Sequence, residues 1–207
     1  LIGQGFSRSE IAILYRSNAQ SRVIEHTLFN AGIAYRVFGG LRFFERAEIK
    51  HALAYLRLME NPHDDTSFLR VVNFPARGIG ARSIEALQDR ATQQGLSLYA
   101  AVPHLDGKAG TLLGGFTRMI ESMRFEGQNL KLDELVGLVI EKSGLIAHYQ
   151  SEKEGRDRVE NLQELINAAA VFISEEGESI TEDGEIKMPP LVGFLTHASL
   201  EAGDNQA

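Results

Sequence analysis

Cysteine and tryptophan are absent from this 207-residue chain, and proline occurs only five times. Without cysteine there is no disulfide and no thiolate metal site, which fits a reducing compartment and leads us to expect a cytoplasmic location. No apolar run approaches the ~20 residues that cross a bilayer, and the first residues lack the charged-then-apolar order of a secretion signal. No membrane partner is therefore expected. Position 1 is Leu, and we read the chain as a piece of a longer protein. A phosphate-binding Gly-x-x-x-x-Gly-Lys-Ser/Thr loop is missing: Gly107-Lys108 lacks the earlier glycine and the hydroxyl residue, and no strand precedes it. Gly-x-Ser-x-Gly is missing too. Asp133-Glu134 is the acidic opening expected of an amphipathic helix rather than a Mg²⁺-holding pair. The six histidines (26, 51, 63, 104, 148 and 197) are scattered, none in a metal-ligand spacing, and His26 and His51 read as surface or boundary residues. The sequence thus predicts no catalytic residue, no cofactor and no metal site of its own.

What is present is an ordinary soluble composition, 43% hydrophobic and 24% charged. The formal net charge of −7 disfavours nucleic acid only until its distribution is considered. Residues 1–140 carry 16 Lys and Arg against 14 Asp and Glu, whereas residues 141–207 carry 5 against 14. A DNA contact needs only a local positive patch, and the first two thirds of the chain can supply one.

The apolar run at residues 11–15 (Ile-Ala-Ile-Leu-Tyr) predicts a strand buried on both faces. Asn18 is placed to cap a helix bearing Val23, Ile24, Leu28 and Phe29 and ending at Gly32, and residues 35–38 read as a second strand. Such a β-α-β unit is too short to close a sheet. Arg16 and Asn18 would lie beyond the carboxyl end of the first strand, where open α/β sheets bind ligands. Paired Gly39-Gly40 marks a boundary. Beyond it the pattern is helical, with helices expected over 46–59, from Asp64 or Asp65 into the next turn, up to Gln94 before Gly95, over 97–103, 109–125, 132–142, 145–153, 159–174 and 191–200. Gly107, Gly110, Gly114 and Gly115 predict a frayed or irregular start to the 109–125 helix. The acidic 175–190 stretch, with two glycines and two prolines, is expected to be a flexible loop.

Residues 73–83 (Asn-Phe-Pro-Ala-Arg-Gly-Ile-Gly-Ala-Arg-Ser) carry the chemistry. Gly78 and Gly80 permit a tight reversal, and Ile79 between them points back into the core. The helix that follows begins with unpartnered amides and a partial positive charge, an end suited to phosphate, and Arg77 and Arg82 flank it with mobile positive charge. The arrangement, near 66–94, predicts a helix-hairpin-helix that grips a DNA backbone without reading bases.

Four motifs, 13–22 (Ile-Leu-Tyr-Arg-Ser-Asn-Ala-Gln-Ser-Arg), 35–50 (Tyr-Arg-Val-Phe-Gly-Gly-Leu-Arg-Phe-Phe-Glu-Arg-Ala-Glu-Ile-Lys), 70–80 (Arg-Val-Val-Asn-Phe-Pro-Ala-Arg-Gly-Ile-Gly) and 158–165 (Arg-Val-Glu-Asn-Leu-Gln-Glu-Leu), together resemble the UvrD/Rep/PcrA-type superfamily 1 DNA helicases. The resemblance implies a mainly α chain: residues 39–207 as a helical accessory subdomain (2B), preceded by residues 1–38 as a β-α-β remnant of a RecA-like domain (2A). It implies single-strand contacts at Arg16 and Asn18, duplex contacts at Arg77, Gly78, Ile79, Gly80, Arg82 and Ser83, and hinges at Gly39, Gly40 and Gly203. ATP and Mg²⁺ are implied only for the parent helicase, whose ATPase motifs lie outside these residues, and repair proteins are implied as further partners. Phe74 is bulkier than the family's usual residue, which predicts an altered seating of the hairpin. Two rival readings stay open: a stand-alone helix-hairpin-helix DNA-binding protein, and a protein-interaction or autoinhibitory module.

Overall fold

Helix α2 (Ala47–Glu60) is buried on nearly every side, with Ile49, Ala52, Leu53, Tyr55, Leu56 and Leu58 all inaccessible or nearly so, and the rest of the chain wraps around it. A helix apolar over most of its circumference, with only Ala47, Lys50 and Glu60 exposed, belongs at the centre of a body. The computed structural model describes residues 4, 6–38, 40–153, 155–176 and 188–203. Within them the order is α1 (Ser21–Asn30), α2, α3 (Asp65–Val71), α4 (Ala81–Gln94), α5 (Leu98–Ala101), α6 (Gly107–Gly127), α7 (Leu132–Lys142), α8 (Leu145–Gln150), α9 (Gly155–Glu176) and α10 (Pro190–Gly203). Helices α3, α6, α7, α9 and α10 all touch α2, while α7 and α8 lie against α9. The described residues are mainly α, as the helical periodicity beyond Gly40 and the family resemblance predict.

Local chemistry sets most boundaries. Asp64 caps α3 through the Ser67 amide, and Ser97 caps α5 through the Ala100 amide. Gly95 ends α4 in the left-handed conformation (φ +63°), and Gly144 turns the chain from α7 into α8 (φ +81°). The cap before α1 is Ser17 rather than Asn18. Its hydroxyl accepts from the Ala19 amide, and Asn18 opens a short 3-10 turn that runs into the helix.

One expectation is met in part and two are corrected. First, the start of α6 is irregular as expected, with Gly107 at φ +68°, but the helix then runs unbroken to Gly127. A Cβ on Gly110 would stand 2.0 Å from the Leu105 carbonyl oxygen, so this glycine lets the preceding loop fold against the helix. Second, residues 11–15 and 35–38 carry no strand among the described residues, and Ile13, Leu14 and Phe38 are 52%, 95% and 80% exposed. A strand is defined by hydrogen-bonded neighbours, and these two segments do not pair with each other. Third, Glu175 and Glu176 belong to the last turn of α9, not to a loop, and Pro190 already opens α10. The remainder of the expected acidic loop, 177–187, lies outside the described residues, as does Gly39.

Candidate nucleic-acid interface

The turn joining α3 to α4 is shaped from inside by Asn73. Its carboxamide oxygen accepts from the amides of Arg77 at 2.9 Å and Ile79 at 3.1 Å, an Asx-type closure. Gly78 sits between them at φ +73°, a conformation that strains any L side chain. Ile79 is 1% exposed and anchors the turn in the core.

Arg77 is not a mobile charge. Its Nη1 donates to the carbonyls of Val71 and Pro75 at 3.2 and 2.9 Å, and Nη2 donates to the Ser143 carbonyl, at the end of α7, at 2.7 Å. The guanidinium also lies over the rings of Tyr55 and Phe116, at 5.7 and 5.6 Å. It is a strut fixing the turn to the body. The Tyr55 hydroxyl reinforces it by donating to the Phe74 and Val71 carbonyls. Burial pushes that hydroxyl up to about 12, so it remains a donor.

Phe74 fills a slot between two histidine rings, stacked on His51 at 3.8 Å and edge-on to His148 at 4.6 Å. The bulk expected to alter the seating of the turn thus becomes part of its seat. His51 Nδ1 lies 2.9 Å from the Tyr149 hydroxyl. Burial, with the charges of Arg70, His148 and Arg158 adding to it, pulls His51 down to about 4, so its ring is neutral at neutral pH.

The outward side of the turn is open. Gly78, Gly80, Ala81 and Arg82 are exposed and Ser83 is half-buried. Gly80 is the N-cap of α4, with φ −85° and ψ 170°, backbone that any residue can adopt. No atom lies within 4 Å of where its Cβ would be, so the fold itself does not demand glycine there. The Ser83 amide is already bonded to the Gly80 carbonyl at 3.0 Å, but the amides of Gly80, Ala81 and Arg82 have no acceptor among the described residues. Arg82 forms no ion pair among the described residues, unlike Arg77 with its committed donors. Helix α4 fully buries only Leu87 and Ala91, and in its first turn Ala81 and Arg82 are exposed while Ile84 packs against the core.

Arg16 and Asn18 lie elsewhere, beside the first turns of α9, and no hydrogen bond joins them to the α3–α4 turn. The Arg16 side chain is exposed. Asn18 donates from its side chain to Asp157 at 3.4 Å, while its carbonyl accepts from Arg46 Nη1 at 2.7 Å. Arg46 was legible in sequence only as the start of a helix. It is 8% exposed and also donates to the Leu41 carbonyl, Asn161 Oδ1 and the Ser21 hydroxyl, joining residues 6–38 to the helical body. Gly40 is exposed with open space around it, and Gly203 closes α10. The histidines are less scattered than their spacing suggests. His26 and His197 meet over Glu201, and the His197–Glu201 spacing of four on one helix was the one available signal.

The family described as UvrD-like helicase C-terminal domain matches residues 1–207, and the chain belongs to it. Among particular relatives, the chain is 44% identical to DNA helicase II of Haemophilus influenzae, with 100% of the chain and 28% of that protein covered. It is 44% identical to DNA helicase II of Escherichia coli (98% and 28% covered) and 42% identical to ATP-dependent DNA helicase PcrA of Bacillus subtilis (96% and 26% covered). The chain therefore spans little more than a quarter of these relatives. Among the described residues no helix is long and apolar enough to cross a membrane.

Proposed function

We propose that this chain is the duplex-engaging, regulatory part of an ATP-dependent superfamily 1 DNA helicase and is not catalytic on its own. The observation that carries the reading is the exposed start of α4. Unpaired amides converge there with Arg82, and a glycine that the fold does not require leaves the backbone open to close approach. Backbone amides at a helix N-terminus suit a phosphate oxygen, and Arg82 adds a cation with no ion pair among the described residues. Residues 72–80 with their flanking helices then act as a helix-hairpin-helix, Arg77 holding its shape rather than touching DNA.

On this reading residues 1–38 end the first part of a RecA-like 2A domain, and residues 39–207 form its 2B accessory subdomain. The exposed Ile13, Leu14 and Phe38 are the side on which the remainder of the parent's sheet packs. Arg16 and Asn18 contact the single strand, and ATP and Mg²⁺ act on other segments of the parent.

Fluorescence anisotropy with a single-strand-tailed duplex tests this. Binding should be weak, with a log–log salt slope of roughly −2 to −4 for a few neutralised phosphates. Gly80→Asp combined with Arg82→Ala should weaken it at least about tenfold, equivalent to about 1.4 kcal/mol. Salt-independent binding, or equal binding by the double variant, would sink the assignment.

A further inference from the structure

We propose that His26, His197 and Glu201 form a binding site for a divalent transition metal, zinc by its ligand chemistry, that ties α1 to α10. His197 and Glu201 are four residues apart on α10 and so share one helix face. His197 Nε2 lies 2.7 Å from Glu201 Oε1, and His26 Nδ1, arriving from α1, lies 2.7 Å from the same oxygen. All three ligand atoms fall within 4.8 Å of one another. Zinc–ligand bonds of about 2.0–2.1 Å in a tetrahedron place neighbouring ligand atoms about 3.4 Å apart, so the three need to shift by only a fraction of an ångström to a little over one. Two imidazoles and one carboxylate are a donor set that zinc accepts, with a fourth position left for water or for the second Glu201 oxygen.

The surroundings point the same way. His26 Nε2, the nitrogen turned away from the cluster, lies 2.8 Å from Glu175 Oε2 at the end of α9, with the Asn30 side-chain nitrogen also 3.2 Å away. A carboxylate on the far nitrogen of a ligating histidine fixes its tautomer and raises its basicity, the arrangement that commonly backs a metal-bound imidazole. The three side chains are 12%, 18% and 4% exposed, which limits competition from solvent. Phe29 and Phe172 stand 5.9 and 5.5 Å from the His197 ring and wall the cluster with apolar surface. As a purely hydrogen-bonded cluster, two ring nitrogens would each have to donate a proton to one carboxylate oxygen. A dication satisfies all three groups at once and balances the charges of Glu201 and Glu175.

The test uses the purified chain, stripped with a chelator and titrated with ZnCl₂ by calorimetry, with Co²⁺ absorption as a readout of coordination geometry. The expected result is one ion per chain, a Co²⁺ spectrum of four- or five-coordinate type, and a melting temperature raised by zinc. His26→Ala and His197→Ala should abolish stoichiometric binding. Glu175→Gln should lower affinity roughly 10–100-fold, the usual effect of losing an outer-shell partner. His104→Ala, at an exposed position outside the cluster, should change nothing. Should a ligand variant fail to fold, the Co²⁺ spectrum and stoichiometry of the unaltered chain still decide. Absent or substoichiometric zinc binding, or binding indifferent to both histidine substitutions, overturns the site and leaves a hydrogen-bonded cluster.

Discussion

Around Tyr55 the chain is held by apolar contact; around Arg46 it is held by hydrogen bonds. Helix α2 turns Ile49, Leu53, Leu56 and Leu58 into a shared core with α3, α6, α7, α9 and α10. Helix α1 does the reverse: its buried residues are Ser21, Arg22 and Glu25, while Val23 is 53% exposed. Arg22 pairs with Glu164 of α9, Glu25 accepts from the Phe43 amide, and Arg46 gathers groups from both sides. One Glu25 oxygen has no hydrogen-bond partner among the described residues and lies 3.9 Å from Arg46. The difference concerns what each interface loses when it opens. Apolar surface has no substitute partner in water, whereas separated polar groups rehydrate and recover most of their hydrogen bonding. The body should therefore unfold as a unit, and residues 6–38 should loosen before it does.

The sharpest break of this contrast is a deletion in the body. Phe68→Ala, at a fully buried ring between Phe116 and Tyr99, should cost about 3–5 kcal/mol in urea unfolding and be felt throughout the helices. A loss under about 1 kcal/mol would mean that the core is not what holds the body together. Next comes Arg46→Ala, which strands Glu25 and Asn161 and should cost about 3 kcal/mol, confined to the junction. Hydrogen exchange should show α1 amides losing protection while α2 amides keep theirs; equal loss in both would make the two regions one cooperative unit.

Within the α3–α4 turn the two glycines sharpen the comparison between fold and site. Gly78→Ala should cost about 1–2 kcal/mol because of its positive φ. Gly80→Ala should change stability by no more than about 0.5 kcal/mol yet weaken duplex binding in the anisotropy assay. Equal thermal shifts for the two variants would contradict this division of labour.

A modest effect is expected from a pH slope. His51 falls from an ordinary 6.5 to about 4 on folding, so the folded protein binds fewer protons than the unfolded chain between those values. Stability from this ring is complete above about 6.5 and is lost as pH falls toward 4, by about 1 kcal/mol once solvent screening of a half-buried group is allowed for. His51→Phe, which keeps the ring beside Phe74, should flatten that slope; an unchanged slope would assign it to other groups.

Much of this was readable from residue order. Caps at Asp64 and Ser97, stops at Gly95 and Gly144, and an inward Ile79 are all consequences of chemistry within a few residues, and the structure places them as expected. The expected strands at 11–15 and 35–38 fail for the complementary reason. An apolar run states a preference for extension, but a ladder requires neighbours that those residues do not find in each other. Arg77 was misread as free because the carbonyl of Ser143 and the ring of Phe116 are remote in sequence. Glycine at 110 was misread as weakness because the Leu105 carbonyl that crowds it is visible only in three dimensions.

By itself, then, the order of residues determined where helices begin and end, which faces are apolar, and to which family the chain belongs, since periodicity, caps and motifs are local or collinear properties. Tertiary structure alone decided which arginine is a strut and which is free, that Arg46 clamps the first segment, and that two distant histidines share a carboxylate. The partner of a polar side chain is set by where helices cross, and no pattern within one helix encodes that crossing.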